Sequence, residues 1–179
     1  WLDVAYEYSY FDSDSTIAAL ERVAKMASDA SDHYMAVKTA VRISRILTTL
    51  GYYKESSDII DSIDKKTIPR TLLFEYYEAH EFLYYELFHV DGSRLEFQDM
   101  YEEQYRAYMD SVILYAPEKS EYGLRSREKK ALMFNDFDYA MQCNRKRMEL
   151  AVKGSIAESF VFYERKIIYE KMGGCEEKR

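Results

Sequence analysis

The residues that could carry chemistry in this chain are its 3 histidines, 2 cysteines and 32 acidic residues, and their spacing assembles no catalytic site. His80 and His89 lie nine residues apart on one predicted helix, about 2.5 turns, so their side chains point to opposite sides. Residues 78–81, Glu-Ala-His-Glu, come closest to a metal-binding cluster, but they form neither HExxH nor the ExxH pair of carboxylate-bridged bundles. We interpret them as a solvated or half-buried helix face and predict no catalytic residue and no metal site.

Motifs for cofactor binding and for an activated nucleophile are also missing from the sequence. It contains no glycine-rich phosphate loop and no GxSxG, and its 6 glycines lie mostly at helix ends. No nucleophile–base pair is visible. We therefore predict a non-catalytic protein without a cofactor, and an α-helical enzyme is the least supported alternative.

The formal net charge of −7 argues against binding to nucleic acid. Phosphate contacts need Lys and Arg clustered on one surface, and the overall balance here is acidic. Two basic runs, residues 125–130 and 145–147, are interpreted as outer helix faces with i,i+4 partners. The alternative is a local basic patch that receives an acidic peptide or another domain.

The two cysteines, Cys143 and Cys175, are too few for a disulfide framework and form no CxxC motif, so they indicate no compartment. We expect Cys143 to be packed on a helix. Nothing in the sequence resembles a signal peptide or a membrane-spanning helix. Because the chain begins at Trp1 and ends just after Gly173-Gly174, we expect it to be part of a longer protein.

The elements that must position any binding residues are helices, because apolar residues recur at helical spacing. The clearest case is residues 36–69, where a break at Gly51 separates two amphipathic helices that run back on each other. Val37, Val41 and Leu47 lie on the apolar face before the break. Neither helix can bury its apolar stripe alone, so each needs a neighbour.

This segment resembles a tetratricopeptide repeat (TPR), whose period is roughly 34 residues. The second half of the motif carries the resemblance, in the order turn, aromatic, small contact residue, two apolar residues and closing proline: Gly51, Tyr53, Ser56, Ile60, Ile63 and Pro69. The first half departs from the pattern. Ala40 stands where a large aromatic is expected, and Ser44 stands where glycine is expected.

The same pattern continues along the chain and predicts about four hairpins in a single domain, residues 1–179. Asn135 marks a second turn, since asparagine tolerates left-handed geometry. It follows Gly51 by 135 − 51 = 84 residues, which leaves room for two long repeats. The predicted fold is an all-α, TPR-like right-handed superhelix of antiparallel helical hairpins. We expect helices at about residues 2–10, 16–28, 32–50, 53–64, 69–90, 93–115, 121–134, 137–153 and 155–173.

Several segments resemble one family in particular, the N-terminal TPR-like region of Bacteroides-type membrane-anchored transcriptional regulators. They are YFDSDSTIAALERVAKMA (10–27), LGYYKESSDIIDSIDKKTIP (50–69), the Tyr-rich helix at 74–85, FNDFDYAMQCNRKR (134–147) and FYERKIIYEKMGG (162–174). In that family the repeats precede one transmembrane helix and a C-terminal helix-turn-helix domain. The resemblance implies a non-catalytic protein-interaction or signal-sensing module on the periplasmic side of the inner membrane. It would reach the membrane only through segments outside this chain.

The repeat register also predicts a concave binding groove, lined by the first helix of each hairpin. The predicted lining is mixed basic and aromatic: Lys38, Val41, Arg45, Thr49, Tyr122, Arg125, Lys129, Phe160, Tyr163 and Ile167. We expect it to bind a protein or peptide partner of acidic character, and no nucleic acid. The chain's 18 tyrosines are interpreted mainly as packing between helices, with a Tyr-lined groove as the alternative.

Two other functions stay open from the sequence. The first is a cytoplasmic TPR adaptor with no link to a membrane. The second is an oligomerisation scaffold, in which the open ends of the helical array stack on further copies of the chain.

Overall fold

The computed structural model describes residues 12–90 and 95–176, and this part of the chain is built from α-helices and short turns without a β-strand. The helices are α1 (Ser13–Asp29), α2 (His33–Thr49), α3 (Tyr53–Asp61), α4 (Leu73–His89), α5 (Leu95–Tyr115), α6 (Glu121–Met133), α7 (Phe137–Leu150) and α8 (Ile156–Glu176). The all-α prediction is confirmed. The predicted helix at 2–10 and the predicted start of the helix at 93–115 lie outside the described residues.

The chain divides into two compact units, Trp1–Ser111 and Val112–Arg179. In the first unit, α2 packs against α1, α3 and α4, and α3 also packs against α4. In the second, α7 packs against both α6 and α8. Consecutive helices joined by short turns form the predicted hairpins, while the single domain over residues 1–179 stays a prediction.

Three hairpin turns share one backbone geometry. Ser31, Gly51 and Asn135 all have positive φ, at 54°, 82° and 57°. In each, the next residue's N–H bonds a carbonyl five residues earlier, as in Asp32 N to Ala27 O (2.7 Å) and Asp136 N to Ala131 O (2.9 Å). This is the Schellman motif, which satisfies the last carbonyls of a helix. The turns predicted at Gly51 and Asn135 are confirmed, whereas the left-handed Ser31 was not predicted.

Five predicted helix ends are wrong by three or more residues. Helix α1 begins at Ser13 rather than 16, α3 ends at Asp61 rather than 64, and α7 ends at Leu150 rather than 153. Pro69 does not begin α4, because Ile68 and Pro69 are extended and a 3-10 turn (Arg70–Leu72) precedes Leu73. Proline fixes φ but not ψ, and ψ of Pro69 is 134°, outside helical geometry. At the other end, α8 continues through Gly173 to Glu176.

Small hydroxyl side chains fill the crossing of α2 and α3. Ser56 Oγ lies 2.9 Å from Ser44 Oγ and 2.7 Å from Thr48 Oγ1, and all three residues are buried. The hydroxyls satisfy one another and the Ser44 carbonyl, which Ser56 Oγ also reaches at 2.9 Å. The predicted small contact at Ser56 is confirmed, and Ser44 serves where the pattern expects glycine.

Aromatic rings join α4 to α5 within the first unit. Tyr108 stacks on His80 at 4.4 Å between ring centroids and on Tyr84 at 5.5 Å. Tyr85 lies 5.5 Å from Tyr105. These tyrosines pack between helices, as the first of the two interpretations predicted.

His80 is a buried histidine in the middle of this cluster. Neither ring nitrogen has a hydrogen-bond partner, and the nearest carboxylate oxygen, Asp61 Oδ1, is 4.0 Å from Nε2. Burial lowers the pKa of His80 to about 4, against a smaller opposing effect of Asp61. The interpretation of residues 78–81 as a solvated or half-buried face is therefore wrong, since Glu78, Ala79, His80 and Glu81 are all buried.

We predict that acid destabilises the first unit through His80. Because the pKa of His80 falls from about 6.5 when unfolded to about 4 when folded, the unfolded chain binds the proton first and stability is lost as pH falls through this window. Between pH 7.5 and 4.5 the expected loss is about 2–3 kcal/mol. Urea unfolding at both pH values measures it. His80→Phe keeps a ring at this position and removes the titrating group. Between the two pH values, this variant should lose about 2–3 kcal/mol less stability than the wild type. Equal losses in the two proteins would contradict the prediction.

Candidate protein-binding faces

The four predicted groove residues of the first unit lie on α2, and one of them is not accessible. Val41 is buried in the packing of α2 and cannot line a groove, so that assignment is wrong. Arg45 forms an ion pair with Glu78 of α4, and its guanidinium lies 5.8 Å from the Phe82 ring centroid. Thr49 is exposed and bonds Arg45 O at 3.1 Å. Lys38 lies over the ring of Tyr34 on the same helix, with Nζ 5.6 Å from the ring centroid.

In the second unit the six predicted groove residues lie on two helices that an ion pair joins. Three are on α6 (Tyr122, Arg125 and Lys129) and three on α8 (Phe160, Tyr163 and Ile167). Arg125 Nε donates to Glu164 Oε1 at 3.0 Å and joins the two helices. Glu164 is adjacent to Tyr163 in sequence and lies about one turn from Phe160 and Ile167. We call these six residues the α6–α8 face.

The most exposed side chains of the α6–α8 face are aromatic. Phe160 is 56% exposed and Tyr163 is 60% exposed, and Tyr122 is exposed as well. Arg125 is already paired with Glu164. Burial lowers the pKa of Arg125, but the carboxylate of Glu164 outweighs this effect and raises the pKa above its ordinary value. The rings of Phe160 and Tyr163 are therefore the largest exposed apolar groups on the α8 side of this face.

A buried ionic network behind this face holds the second unit together. Arg147 of α7 is 1% exposed and contacts three carboxylates, at 2.7 Å to Glu121, 2.8 Å to Glu128 and 2.6 Å to Glu164. Asn144 donates to Glu128 at 3.2 Å. One guanidinium thus ties α7 to α6 and to α8, and it shares Glu164 with Arg125.

The interpretation of residues 145–147 as an outer face holds for only part of that run. Arg145 and Lys146 are exposed, but Arg147 is in the core. Alignment of this hairpin with the hairpin around Gly51 indicates that Arg147 is buried. With Asn135 placed on Gly51, 84 residues earlier, Glu128 and Arg147 fall on the positions of Ser44 and Ile63. Opposite charges at two positions that face the hairpin interior are expected to pair there.

Burial and pairing oppose each other within the network. Burial raises the pKa of Glu128, and the charge of Arg147 offsets this only in part. For Arg147, burial disfavours the charge, but the carboxylates of Glu164 and Glu128 outweigh it and raise the pKa of Arg147 above its ordinary value. The guanidinium therefore stays charged, and its removal would leave buried carboxylates without compensation.

We predict that Arg147→Met destabilises the chain by about 3–5 kcal/mol, the usual cost of removing one partner of a buried pair. Urea unfolding at neutral pH measures the loss. Arg145→Met, an exposed position on the same helix, is the matched control and should change stability by about 0.5 kcal/mol or less. Adding Glu128→Gln to Arg147→Met should recover part of the loss. Equal small effects of the two methionine variants would contradict the role of the network.

The described part of the chain contains no group of three or more His, Cys, Asp or Glu side chains placed to hold a metal ion. Cys143 is a buried free thiol, and burial raises its pKa, which agrees with the packed position expected for it. No described helix combines the length and apolarity that crossing a membrane requires.

Comparison with known proteins identifies the family. Residues 3–179 match the family described as the SusR N-terminal TPR domain. No curated protein and no solved structure gives a significant match. The family match covers nearly the whole chain and agrees with the hairpins, turns and small helix contacts described above. The chain is therefore a member of the SusR N-terminal TPR domain family.

Proposed function

We propose that this chain is the protein-interaction and signal-sensing module of a membrane-anchored transcriptional regulator, and that it binds a protein or peptide partner through the α6–α8 face. TPR domains generally mediate contacts between proteins, which supports the general class. The observation that carries the specific proposal is the exposure of Phe160 and Tyr163 beside the Arg125–Glu164 pair. Aromatic rings on a rigid helix are the usual anchors of protein interfaces.

The rigidity of the face favours this role. Glu164 is held by both Arg125 and Arg147, so the turn of α8 that carries Phe160 and Tyr163 is fixed to α6 and α7. A partner would not have to order these rings, which lowers the entropic cost of binding. The net charge of −7 disfavours nucleic acid as the partner.

An acidic partner remains part of the proposal, with a changed role for its charges. Arg45 is paired with Glu78 and Arg125 with Glu164, so an acidic segment would have to compete with these internal carboxylates. We therefore assign the anchoring contacts to apolar side chains of the partner, inserted between Phe160 and Tyr163. Acidic residues of the partner would lie at the rim, where charge affects association rate more than affinity.

We assign this module to the periplasmic side of the inner membrane, with membrane attachment and DNA binding supplied by other segments of the regulator. The family match supports the regulator context. In this arrangement, partner binding by the TPR-like unit is the signal that the regulator receives.

We predict that Phe160→Ala with Tyr163→Ala abolishes partner capture from an envelope extract without unfolding the chain, because both rings are exposed. Phe162→Ala with Tyr169→Ala is the matched control, since these rings are on the same helix, are 53% and 58% exposed, and point to a different side. Bound proteins are compared by mass spectrometry, and circular dichroism verifies folding. Charge reversal of Arg45 and Arg125 is unsuitable, because it would place carboxylates against Glu78 and Glu164.

Comparison with the Phe162/Tyr169 control defines two results that would contradict the proposed interface. A partner that is retained by the Phe160/Tyr163 variant and lost by the Phe162/Tyr169 variant would move the binding site to another side of α8. Capture that is unchanged in both variants would remove α8 from the proposed interface.

A further inference from the structure

One face of α8 has the spacing of a helix-pairing seam. Ile156, Phe160, Tyr163 and Ile167 follow one another at intervals of four, three and four residues. The first three are exposed and Ile167 is half-buried, while Val161 and Ile168 on another side are buried in the unit. A 4-3-4 spacing keeps apolar side chains on one stripe with a period of about 3.5 residues, which suits packing against a second helix.

The order of residues in this seam is self-complementary. It reads isoleucine, aromatic, aromatic, isoleucine, and it is symmetric about the point midway between Phe160 and Tyr163. In an antiparallel pairing, Phe160 lies against Tyr163 of a second copy, and Ile156 lies against Ile167 of that copy. A twofold interface requires a patch that matches itself in this way.

The charges beside the seam distinguish the two orientations. In a parallel pair, the flanking positions would bring Lys166 next to Lys171 of the second copy, twice over. In the antiparallel pair, the turn that carries Lys153 comes level with Glu170 of the second copy. Glu170 and Lys153 are both exposed. Glu170 also pairs with Lys166 of its own helix at 3.4 Å, so Lys153 of the second copy would join this exposed pair at each end of the seam.

We propose that two copies of this chain associate through α8 in an antiparallel, twofold arrangement centred between Phe160 and Tyr163. The inference rests on the proposed function in one respect: it names a second copy of this chain as the partner that the α8 part of the α6–α8 face binds. Self-association would cover the exposed rings and join two copies of the chain in one symmetric dimer. A regulator built on it would report the monomer–dimer balance of its sensing module.

The first test is the solution mass of the chain, measured by sedimentation velocity over a range of concentrations. We expect twice the mass of one chain at high concentration. Phe160→Glu with Tyr163→Glu should give a monomer at every concentration, and Phe162→Glu with Tyr169→Glu should still dimerise. A monomeric wild type, or a dimer that survives Phe160→Glu with Tyr163→Glu, would overturn the inference. A monomeric wild type that still captures another protein through Phe160 and Tyr163 would overturn it while leaving the proposed function intact.

Disulfide trapping tests the orientation. In a background with Cys143→Ser and Cys175→Ser, Phe160→Cys and Tyr163→Cys are prepared as separate proteins. The antiparallel pairing predicts a cross-linked dimer that forms fastest when the two are mixed, at least tenfold faster than in either protein alone. Faster cross-linking within Tyr163→Cys alone would indicate a parallel pair and overturn the proposed arrangement.

Discussion

The buried guanidinium of Arg147 is the constraint on which the second unit depends. It is the point where carboxylates from α6 (Glu121 and Glu128) and α8 (Glu164) meet the side chain of α7. Arg147, Glu128 and Glu164 are largely removed from water while Glu121 is 36% exposed, and the cost of burying the first three is offset only by their pairing. The pairing of Arg147 with Glu164 thus helps to fix the turn of α8 that carries the exposed rings.

The first unit solves the same packing problem with different chemistry. At the corresponding crossing of α2 and α3, Ser44, Thr48 and Ser56 fill a narrow space with mutual hydrogen bonds. Its arginine, Arg45, also pairs with a buried carboxylate, that of Glu78, but the Arg45 side chain is 36% exposed whereas that of Arg147 is 1% exposed. At the crossing of α2 and α3 itself, the helices come close through hydroxyl packing without a charge. A fully buried guanidinium is thus a feature of the second unit.

Local features of the fold were predictable from sequence, and non-local pairing was not. Gly51 and Asn135 predict turns because glycine and asparagine adopt left-handed backbone geometry more readily than other residues. Ser31 adopts the same geometry without the residue type that signals it, and Val41 was assigned to the groove although α2 buries it between neighbours. Arg147 looked like part of a surface run because its partner Glu164 lies on another helix. When the two repeats are aligned, Arg147 occupies the position of Ile63, an apolar residue, and this equivalence indicates a buried position.

Hydrogen exchange tests most directly whether the Arg147 network positions α8. Amide exchange would be followed by mass spectrometry in the wild type, in Arg147→Met and in the Arg145→Met control, under conditions where all three remain folded. We predict faster exchange along α8 in Arg147→Met, with α1 to α4 unchanged and the control matching the wild type. Full protection of α8 in Arg147→Met would instead show that packing against α7 alone holds the helix, without the Arg147 network.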